Sequence, residues 1–205
     1  MSRYIKNYDS IFTPELQEFL LTKTIAVIGC GGNGGYILEY IARLGVKSLY
    51  FWDGDTFNES NLNRQLGCTE ETIGLNKAET MLKRLQSINS TIEYNMRNWY
   101  FSEKNEDVID LFNCDIIIMA ADDSYSIGQT RDMIKLVIER GIPCIDEYLR
   151  GFGGEVSIIT NADLTLWDYN TELWNSQSLM PKEELTLFGS QTAYRCALIA
   201  AEVVN

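Results

Sequence analysis

Apolar residues recur along the chain with two different periods, and these predict strands alternating with helices. Residues 24–28 and 115–120 are nearly continuous apolar runs, as expected of strands buried on both faces. Residues 34–44 and 76–88 carry apolar residues three and four positions apart, which is the spacing of one helix face. The same reasoning predicts strands at 48–52, 93–96, 143–146 and 155–160, and helices at 103–112, 126–140 and 190–204.

This alternation predicts one α/β domain over residues 1–205, with a Rossmann-like, mostly parallel sheet covered by helices on both faces. Residues 1–22 are expected to form a helical arm, because Thr13 and Pro14 supply an N-cap and a first-turn proline. Residues 53–66 are polar and predict a long loop. Residues 161–189 give no clear pattern, and either a crossover or a lid fits them. In such folds the ligand lies at the carboxyl ends of the strands.

Composition and charge narrow the classes of function. The net charge of −12 disfavours general nucleic-acid binding, because an acidic surface repels phosphates. The chain has no histidine, which excludes Ser–His and Cys–His catalytic pairs and a histidine-ligated metal. The amino-terminal residues lack the apolar stretch of a signal peptide, and no apolar run is long enough to span a bilayer. We therefore expect a cytoplasmic protein without a membrane segment.

The cysteines predict neither disulfides nor a zinc site. Their number is odd, their spacing is irregular and no CxxC pair occurs; they are Cys30, Cys68, Cys114, Cys144 and Cys196. We interpret Cys144 and Cys196 as buried and inert. Cys68, in the loop after Gln65, is expected to be the most exposed of the five.

A glycine-rich turn follows the first predicted strand and opens a helix. Gly29, Gly31 and Gly34 form a G-x-G-x-x-G pattern, whose backbone can approach a phosphate at the helix amino terminus. Asp53 follows the next strand, where an acidic residue that binds ribose hydroxyls is expected. This pattern predicts nucleotide binding. It does not separate NAD, FAD or S-adenosylmethionine from ATP, and a glycine turn without a ligand is the alternative.

The polar segment at residues 53–65 favours a triphosphate. It contains three asparagines, an arginine and a glutamine directly after the presumed ribose acid. Such side chains stabilise the charge that develops during phosphoryl or adenylyl transfer. A dehydrogenase has no need of this cluster beside its cofactor.

Four motifs together resemble the ThiF/MoeB/HesA family of ubiquitin-activating-type adenylyltransferases. They are Gly29-x-Gly-Gly-x-Gly34, Asp53-x-Asp55, Ser60-Asn-Leu-x-Arg-Gln65 and Gly74-x-x-Lys-Ala78. The order and the spacing of these motifs agree with the family pattern, and the agreement extends through about residue 160. The resemblance also implies an antiparallel strand that continues the sheet after residues 150–155.

The resemblance implies a role for each matched residue. The nucleotide-binding set would be Gly29, Gly31, Gly32, Gly34, Asp53, Asp55, Asn61, Arg64, Gln65 and Lys77. Arg64 would face the leaving pyrophosphate, and Lys77 would neutralise the β- and γ-phosphates. Asp122 would ligate Mg²⁺, which prefers carboxylate, phosphate and water oxygens. Taken singly, Arg64, Lys77 and Asp122 fit better as a loop salt bridge, a solvated helix residue and a helix N-cap; taken together in family order, they favour function.

The chain also departs from the family pattern. Asp123 and Ile127 stand where an asparagine and an arginine are usual, so Asp123 could share the metal. Lys6 replaces an arginine that reaches into the partner subunit's site; Arg3 could substitute, or the basic terminus could be frayed. Residues 163–168 stand where a first CxxC pair would be, and we predict no zinc.

The leading hypothesis is an Mg·ATP-dependent adenylyltransferase, expected to be a homodimer. It would activate the C-terminal carboxylate of a ubiquitin-like sulfur carrier protein as an acyl adenylate. A second hypothesis changes the acceptor to a peptide terminus or a modified-nucleoside carboxylate. A third is an NAD-dependent oxidoreductase or a nucleotide-sensing module, which leaves Asn61, Arg64, Gln65 and Lys77 unexplained.

Overall fold

The computed structural model describes residues 3–8, 12–102, 107–121, 135–150 and 153–160. Several predictions therefore concern residues outside the described part: segment 161–189, helix 190–204, residues 163–168, Cys196 and most of helix 126–140. Within the described residues no helix is long and apolar enough to cross a membrane.

The sheet has the predicted arrangement. Its strands are β1 (Thr24–Ile28), β2 (Ser48–Trp52), β3 (Glu93–Arg97), β4 (Ile116–Met119), β5 (Cys144–Arg150) and β6 (Gly153–Ile159). They lie in the order β3-β2-β1-β4-β5-β6. Neighbours from β3 to β5 are parallel, and β6 runs antiparallel to β5. This confirms the Rossmann-like sheet and its antiparallel extension.

The helices also follow the prediction, with small shifts at their ends. They are α1 (Pro14–Leu20), α2 (Gly32–Leu44), α3 (Lys77–Ile88) and α4 (Asp107–Leu111), and residues 135–138 are helical as well. Helix α3 begins one residue later than predicted because Asn76 is its N-cap, and its Oδ1 accepts from the Glu79 amide at 3.0 Å. A 3₁₀ turn, Glu59–Asn61, interrupts the loop predicted at 53–66.

The central strand β1 is apolar on both faces because each face packs on a helical layer. Val27 lies in a cluster with Ile37 and Leu85 of α2 and α3. Ala26, its neighbour, lies in a second cluster with Leu111 of α4. All five are fully buried, and burying a large aliphatic side chain contributes about 1.5–3 kcal/mol. The core therefore has two layers, and the sheet separates them.

The amino-terminal residues pack at the amino ends of the strands. Tyr4 is buried, and its hydroxyl accepts from Nδ2 of Asn89 at 3.1 Å. Arg3 donates through Nη1 to Oδ1 of the same Asn89 at 2.5 Å. Gln17 of α1 donates to the Leu44 carbonyl at 2.7 Å, at the end of α2. Arg3 and Tyr4 are thus anchored, so the frayed-terminus interpretation is wrong for these two residues.

Strand β5 is longer than the predicted strand 143–146. The extension is explained by its antiparallel partner, since pairing with β6 continues from Cys144↔Ile159 to Arg150↔Gly153. Residues with little strand propensity, such as Asp146 and Glu147, are held in the strand by this pairing.

The glycine loop packs against the end of β4 with no room for side chains at two positions. Gly29 has φ +104°, and a Cβ there would lie 2.6 Å from the Ala120 carbonyl oxygen. A Cβ on Gly34 would lie 2.1 Å from the Gly29 carbonyl oxygen. The first helical turn of α2 therefore touches the loop backbone, and this contact requires glycine.

We predict opposite effects for two adjacent glycines of α2. Gly34→Ala should lower the free energy of unfolding by about 2 kcal/mol or more, because the loop backbone has to move. Gly35→Ala is the matched control. Its Cβ would meet the Cys30 carbonyl oxygen at an ordinary 3.5 Å, so alanine should be neutral or stabilising in the helix. Urea unfolding of both variants tests this, and equal midpoints would contradict it.

Candidate functional site

The candidate site lies at the carboxyl edge of the sheet, where the glycine loop meets α2. Gly31 is the N-cap of α2, and among the described residues no side chain caps it. The first N–H groups of a helix lack partners within the helix and attract anions. A Cβ on Gly31 would lie 3.7 Å from its nearest atom, Nε2 of Gln65. Gly31 thus has room for a Cβ in ordinary contact with Gln65, whereas Gly29 and Gly34 have none.

Asp53 bridges this loop and the loop that follows β2. Its Oδ2 accepts from the Cys30 amide at 2.7 Å, and its Oδ1 accepts from the Asp55 amide at 2.9 Å. Burial raises the pKa of the Asp53 carboxyl, and the two backbone hydrogen bonds and the charge of Lys77 offset part of that rise. The carboxyl group is therefore fixed where the sequence predicts a ribose contact.

Lys77 is the first residue of α3 and only 7% exposed. Its Nζ lies 3.0 Å from Oδ2 of Asp55, and the other carboxyl oxygen of Asp55, Oδ1, accepts from the hydroxyl of Tyr100. Burial works against ionisation of Asp55, but the hydrogen bonds from Tyr100 and Lys77 outweigh it and lower the pKa of Asp55. The amide of Asp55 donates to Asp53, whose carboxyl group accepts from the glycine loop, so a chain of contacts links the Lys77 ammonium to that loop. The interpretation of Lys77 as a solvated helix residue is therefore wrong.

Two of the three asparagines in the loop stabilise the loop itself. Oδ1 of Asn61 accepts from the Asn58 amide at 3.0 Å, and Oδ1 of Asn58 accepts from the Ser60 amide at 3.0 Å. These bonds form a capping box around the 3₁₀ turn. A contact between Asn61 and a phosphate would therefore have to come from its amide nitrogen.

Arg64 and Gln65 follow this turn, and their side chains lie in different environments. Arg64 is half-buried, and its Nη1 donates to the Ser60 carbonyl at 2.9 Å and to Oδ1 of Asn63 at 3.0 Å. Gln65 is 8% exposed, and its buried Oε1 has no hydrogen-bond partner within the described chain. Gln65 lies beside Gly31, and its buried amide oxygen without a hydrogen-bond partner marks a place where a polar ligand would fit.

Asn33 and Glu147 form a partly buried polar contact on the other side of the glycine loop. Asn33 is the second residue of α2, and its Nδ2 donates to Oε2 of Glu147 on β5 at 2.5 Å. Burial raises the pKa of Glu147 to about 8; the Asn33 hydrogen bond opposes the rise, and the charge of Asp146 adds to it. The sequence analysis missed both residues. The available signal was a pair of acidic residues at the carboxyl end of a predicted strand.

All four cysteines in the described ranges are buried free thiols. The prediction for Cys144 is confirmed, and burial raises the pKa of its thiol well above the ordinary value. The prediction that Cys68 is exposed is wrong. Cys68 is 7% exposed, its Sγ lies 3.6 Å from the Asn58 carbonyl, and burial raises its pKa. The turn after Gln65 folds the thiol inward.

The structure thus brings together the glycines, Asp53, Asp55, Gln65 and Lys77 at one edge. The predicted metal ligand Asp122 and its neighbours Asp123 and Ile127 lie outside the described ranges. No group of three or more potential metal ligands occurs among the described residues. Tyr100 was also missed, because a tyrosine after a short strand carries no motif.

The raised pKa of Glu147 predicts a pH dependence of stability. Folding holds a proton on Glu147 between its unfolded value near 4.5 and its folded value of about 8. Stability should therefore fall as pH rises through this window. Glu147→Gln removes the effect, so its stability relative to the parent should grow by on the order of 2 kcal/mol from pH 5.5 to 7.5.

Glu39→Gln is the control for this measurement. Burial opposes ionisation of Glu39, but Arg84 and Arg43 more than offset it and lower the pKa, so Glu39 is ionised throughout this range. The difference in free energy of unfolding between Glu39→Gln and the parent should therefore stay constant between pH 5.5 and 7.5. Urea unfolding at both pH values gives these differences, and parallel profiles for Glu147→Gln and the parent would contradict the prediction.

Comparisons with known proteins agree with this arrangement. The chain is 31% identical over 128 residues to the tRNA threonylcarbamoyladenosine dehydratase of Bacillus subtilis, covering 62% of this chain and 49% of that protein. It is 29% identical over 151 residues to the sulfur carrier protein adenylyltransferase of Thermus thermophilus, covering 74% and 54%. It therefore spans about half the length of these curated relatives.

A solved structure of similar fold is that of E. coli MccB with ATP. The TM-score is 0.68 at 20% identity, over 91% of this chain and 55% of that one. At this identity the likeness concerns the fold. The model of the ThiF family matches residues 4–204, which is nearly the whole chain. The chain belongs to the ThiF family.

Proposed function

We propose that this protein uses Mg·ATP to adenylylate a C-terminal carboxylate. The observation that carries the proposal is the position of Lys77. Its buried ammonium lies at the amino terminus of α3 and contacts Asp55, which is linked through Asp53 to the glycine loop. A buried cation at a helix amino terminus suits a polyphosphate better than an uncharged ligand.

The first task of the site is to hold ATP. Asp53 would accept from the ribose hydroxyls, since backbone donors already fix its carboxyl group. The phosphates would lie over Gly31, where there is space for close approach and where the amide groups of α2 begin. MccB, which shares this fold, has been solved with ATP, and this supports the same ligand here.

The second task is to stabilise charge on the leaving group. An oxygen of the acceptor carboxylate would attack the α-phosphorus, the bond from that phosphorus to the β-phosphate bridge would break, and pyrophosphate would leave. Lys77 and Arg64 would neutralise the β- and γ-phosphates. Asn61 and Gln65 would hold them through amide groups. This chemistry needs positioning and charge rather than a protein nucleophile, which accords with a chain that has no histidine.

Magnesium belongs to the same proposal through Asp122. A bound Mg²⁺ would neutralise phosphate oxygens and orient them. A single carboxylate is enough, since Mg²⁺ takes its remaining ligands from phosphates and water.

For the acceptor we propose the C-terminal carboxylate of a ubiquitin-like sulfur carrier protein. The support is the similarity to the Thermus thermophilus sulfur carrier protein adenylyltransferase, which extends over 74% of this chain. The similarity to the tRNA threonylcarbamoyladenosine dehydratase favours a modified-nucleoside carboxylate as the second candidate. The net charge of −12 weighs against this candidate, because tRNA is a polyanion.

We also propose a cytoplasmic homodimer. Arg3 is hydrogen-bonded to Asn89, which precedes β3 at the amino edge of the sheet. It therefore lies at the opposite edge from the glycine loop of its own subunit. Any part that Arg3 plays in a nucleotide site would have to be at the site of a second subunit.

Replacing Lys77 tests nucleotide binding. Lys77→Met keeps the buried stem and removes the charge, so the dissociation constant for Mg·ATP should rise about ten-fold to a hundred-fold. Lys83→Met is the matched control, because Lys83 is exposed on the same helix and should leave the affinity unchanged. Calorimetric titration of both variants and the parent measures this. Tight binding of NADH without binding of ATP would favour the oxidoreductase hypothesis instead.

Pyrophosphate exchange tests the acceptor. With labelled pyrophosphate and Mg·ATP, a carrier protein that ends in Gly-Gly should support formation of labelled ATP, because adenylylation of a carboxylate is reversible. The same carrier with a C-terminal carboxamide should support none. Exchange with threonylcarbamoyladenosine-modified tRNA, together with no exchange with any carrier protein, would contradict the carrier protein as acceptor and favour the modified nucleoside.

A further inference from the structure

The contact between Asn33 and Glu147 joins the amino terminus of α2 to strand β5. Asn33 lies within the glycine motif, as the second residue of α2, and Glu147 lies in β5. Nδ2 of Asn33 donates to Oε2 of Glu147 at 2.5 Å, and Glu147 is 8% exposed. The carboxyl oxygen accepts this hydrogen bond whether or not Glu147 carries a proton. The contact therefore fixes the orientation of the Asn33 amide.

This orientation leaves the other end of the amide without a partner. Oδ1 of Asn33 is a buried acceptor with no hydrogen bond in the described part of the protein. A buried carbonyl oxygen without a donor is unfavourable and uncommon in native structures. The chemistry of the atom specifies its partner, because an amide oxygen accepts and a ligand there has to offer an N–H or O–H group.

The position of this oxygen separates it from the proposed nucleotide contacts. The side chains proposed to bind the nucleotide belong to residues 53–77, which follow β2 on one side of β1. Glu147 belongs to β5, two strands away from β1 on the other side. The amino terminus of α2 lies between the two groups. Apart from Asp122, the proposed magnesium ligand that follows β4, the proposed site side chains thus lie on the β2 side, whereas Asn33 contacts an element on the β4–β5 side.

We propose that Oδ1 of Asn33 recognises the backbone amide N–H that precedes the acceptor's terminal carboxylate, and that Glu147 is a positioning residue for Asn33. This inference rests on the proposed function, and it names the acceptor as a peptide-type chain end. The hydrogen bond satisfies the buried oxygen and places the carboxylate that follows it beside the glycine loop.

The test compares two acceptors that differ in one group. One is a sulfur carrier protein ending in Gly-Gly. The other is the same carrier ending in Gly-glycolate, in which an ester oxygen replaces the last amide N–H and the shape is kept. In pyrophosphate exchange, the parent should use the amide acceptor about ten-fold more efficiently in kcat/KM, because the ester leaves Oδ1 unsatisfied.

Variants of Asn33 and Glu147 test whether the preference for the amide acceptor comes from the hydrogen bond to Oδ1 or only from the shape of the site. Asn33→Leu should reduce the preference to within about two-fold, because the accepting oxygen is gone. Glu147→Leu should do the same by releasing the Asn33 amide. Glu147→Gln should retain the preference, because its Oε1 can still accept from Nδ2. Glu39→Gln, a buried carboxyl change elsewhere on α2, should also retain it.

The outcomes are distinguishable. An equal rate with both acceptors in the parent, or an unchanged preference in Asn33→Leu, would overturn the inference and leave the adenylylation proposal intact. The comparison of the two acceptors in the parent protein does not depend on whether any variant folds. Binding of ATP without exchange on either acceptor would overturn the inference together with the carrier protein as substrate.

Discussion

The candidate site depends on the carboxyl group of Asp53, which receives one backbone hydrogen bond from the glycine loop and one from the loop after β2. These two loops leave adjacent parallel strands, where a backbone hydrogen bond from the Gly29 amide to the Trp52 carbonyl joins them at 2.9 Å. The Asp53 bridge continues this connection into the segment that carries Asn61, Arg64 and Gln65, and so helps to fix that segment relative to the glycine loop. The bridge is favourable because two N–H donors compensate a carboxyl group that burial would otherwise disfavour.

The same loop is also fastened to α3. Nδ2 of Asn76 donates to the carbonyls of Asp53 and Asp55, at 3.2 and 3.1 Å, while its Oδ1 caps the helix. The Lys77 amide donates to the Asp55 carbonyl at 2.9 Å. One asparagine therefore starts the helix and ties its amino terminus to the loop that carries Asp53. The position of the Lys77 ammonium follows from these backbone constraints more than from its own ion pair.

The fold could be predicted from the sequence because its strands are buried and its helices amphipathic, and both produce strong apolar periodicity. The glycine loop, Asp53 and Lys77 could be placed because each lies next to such an element. The sequence could not show that Asn61 serves its own turn, because an asparagine in a polar loop fits a cap and a ligand contact equally well. Cys68 was misjudged because its burial arises from tertiary folding of the loop. Glu147 was missed because β6 extends β5 beyond its apolar run.

The ion pair between Lys77 and Asp55 raises the question of how the lysine could serve a nucleotide. A buried ammonium that leaves its carboxylate normally leaves an uncompensated charge. Asp55 avoids this penalty in two ways. Its side chain is 47% exposed, so water can solvate it, and it also accepts from the hydroxyl of Tyr100. Lys77 can therefore turn toward a phosphate while Asp55 keeps a donor. The ring of Tyr100 packs on Gly54, where a Cβ would lie 2.8 Å from the ring, so this donor is held by the same loop. An exchangeable partner, rather than a permanent salt bridge, is the arrangement that ATP binding would require.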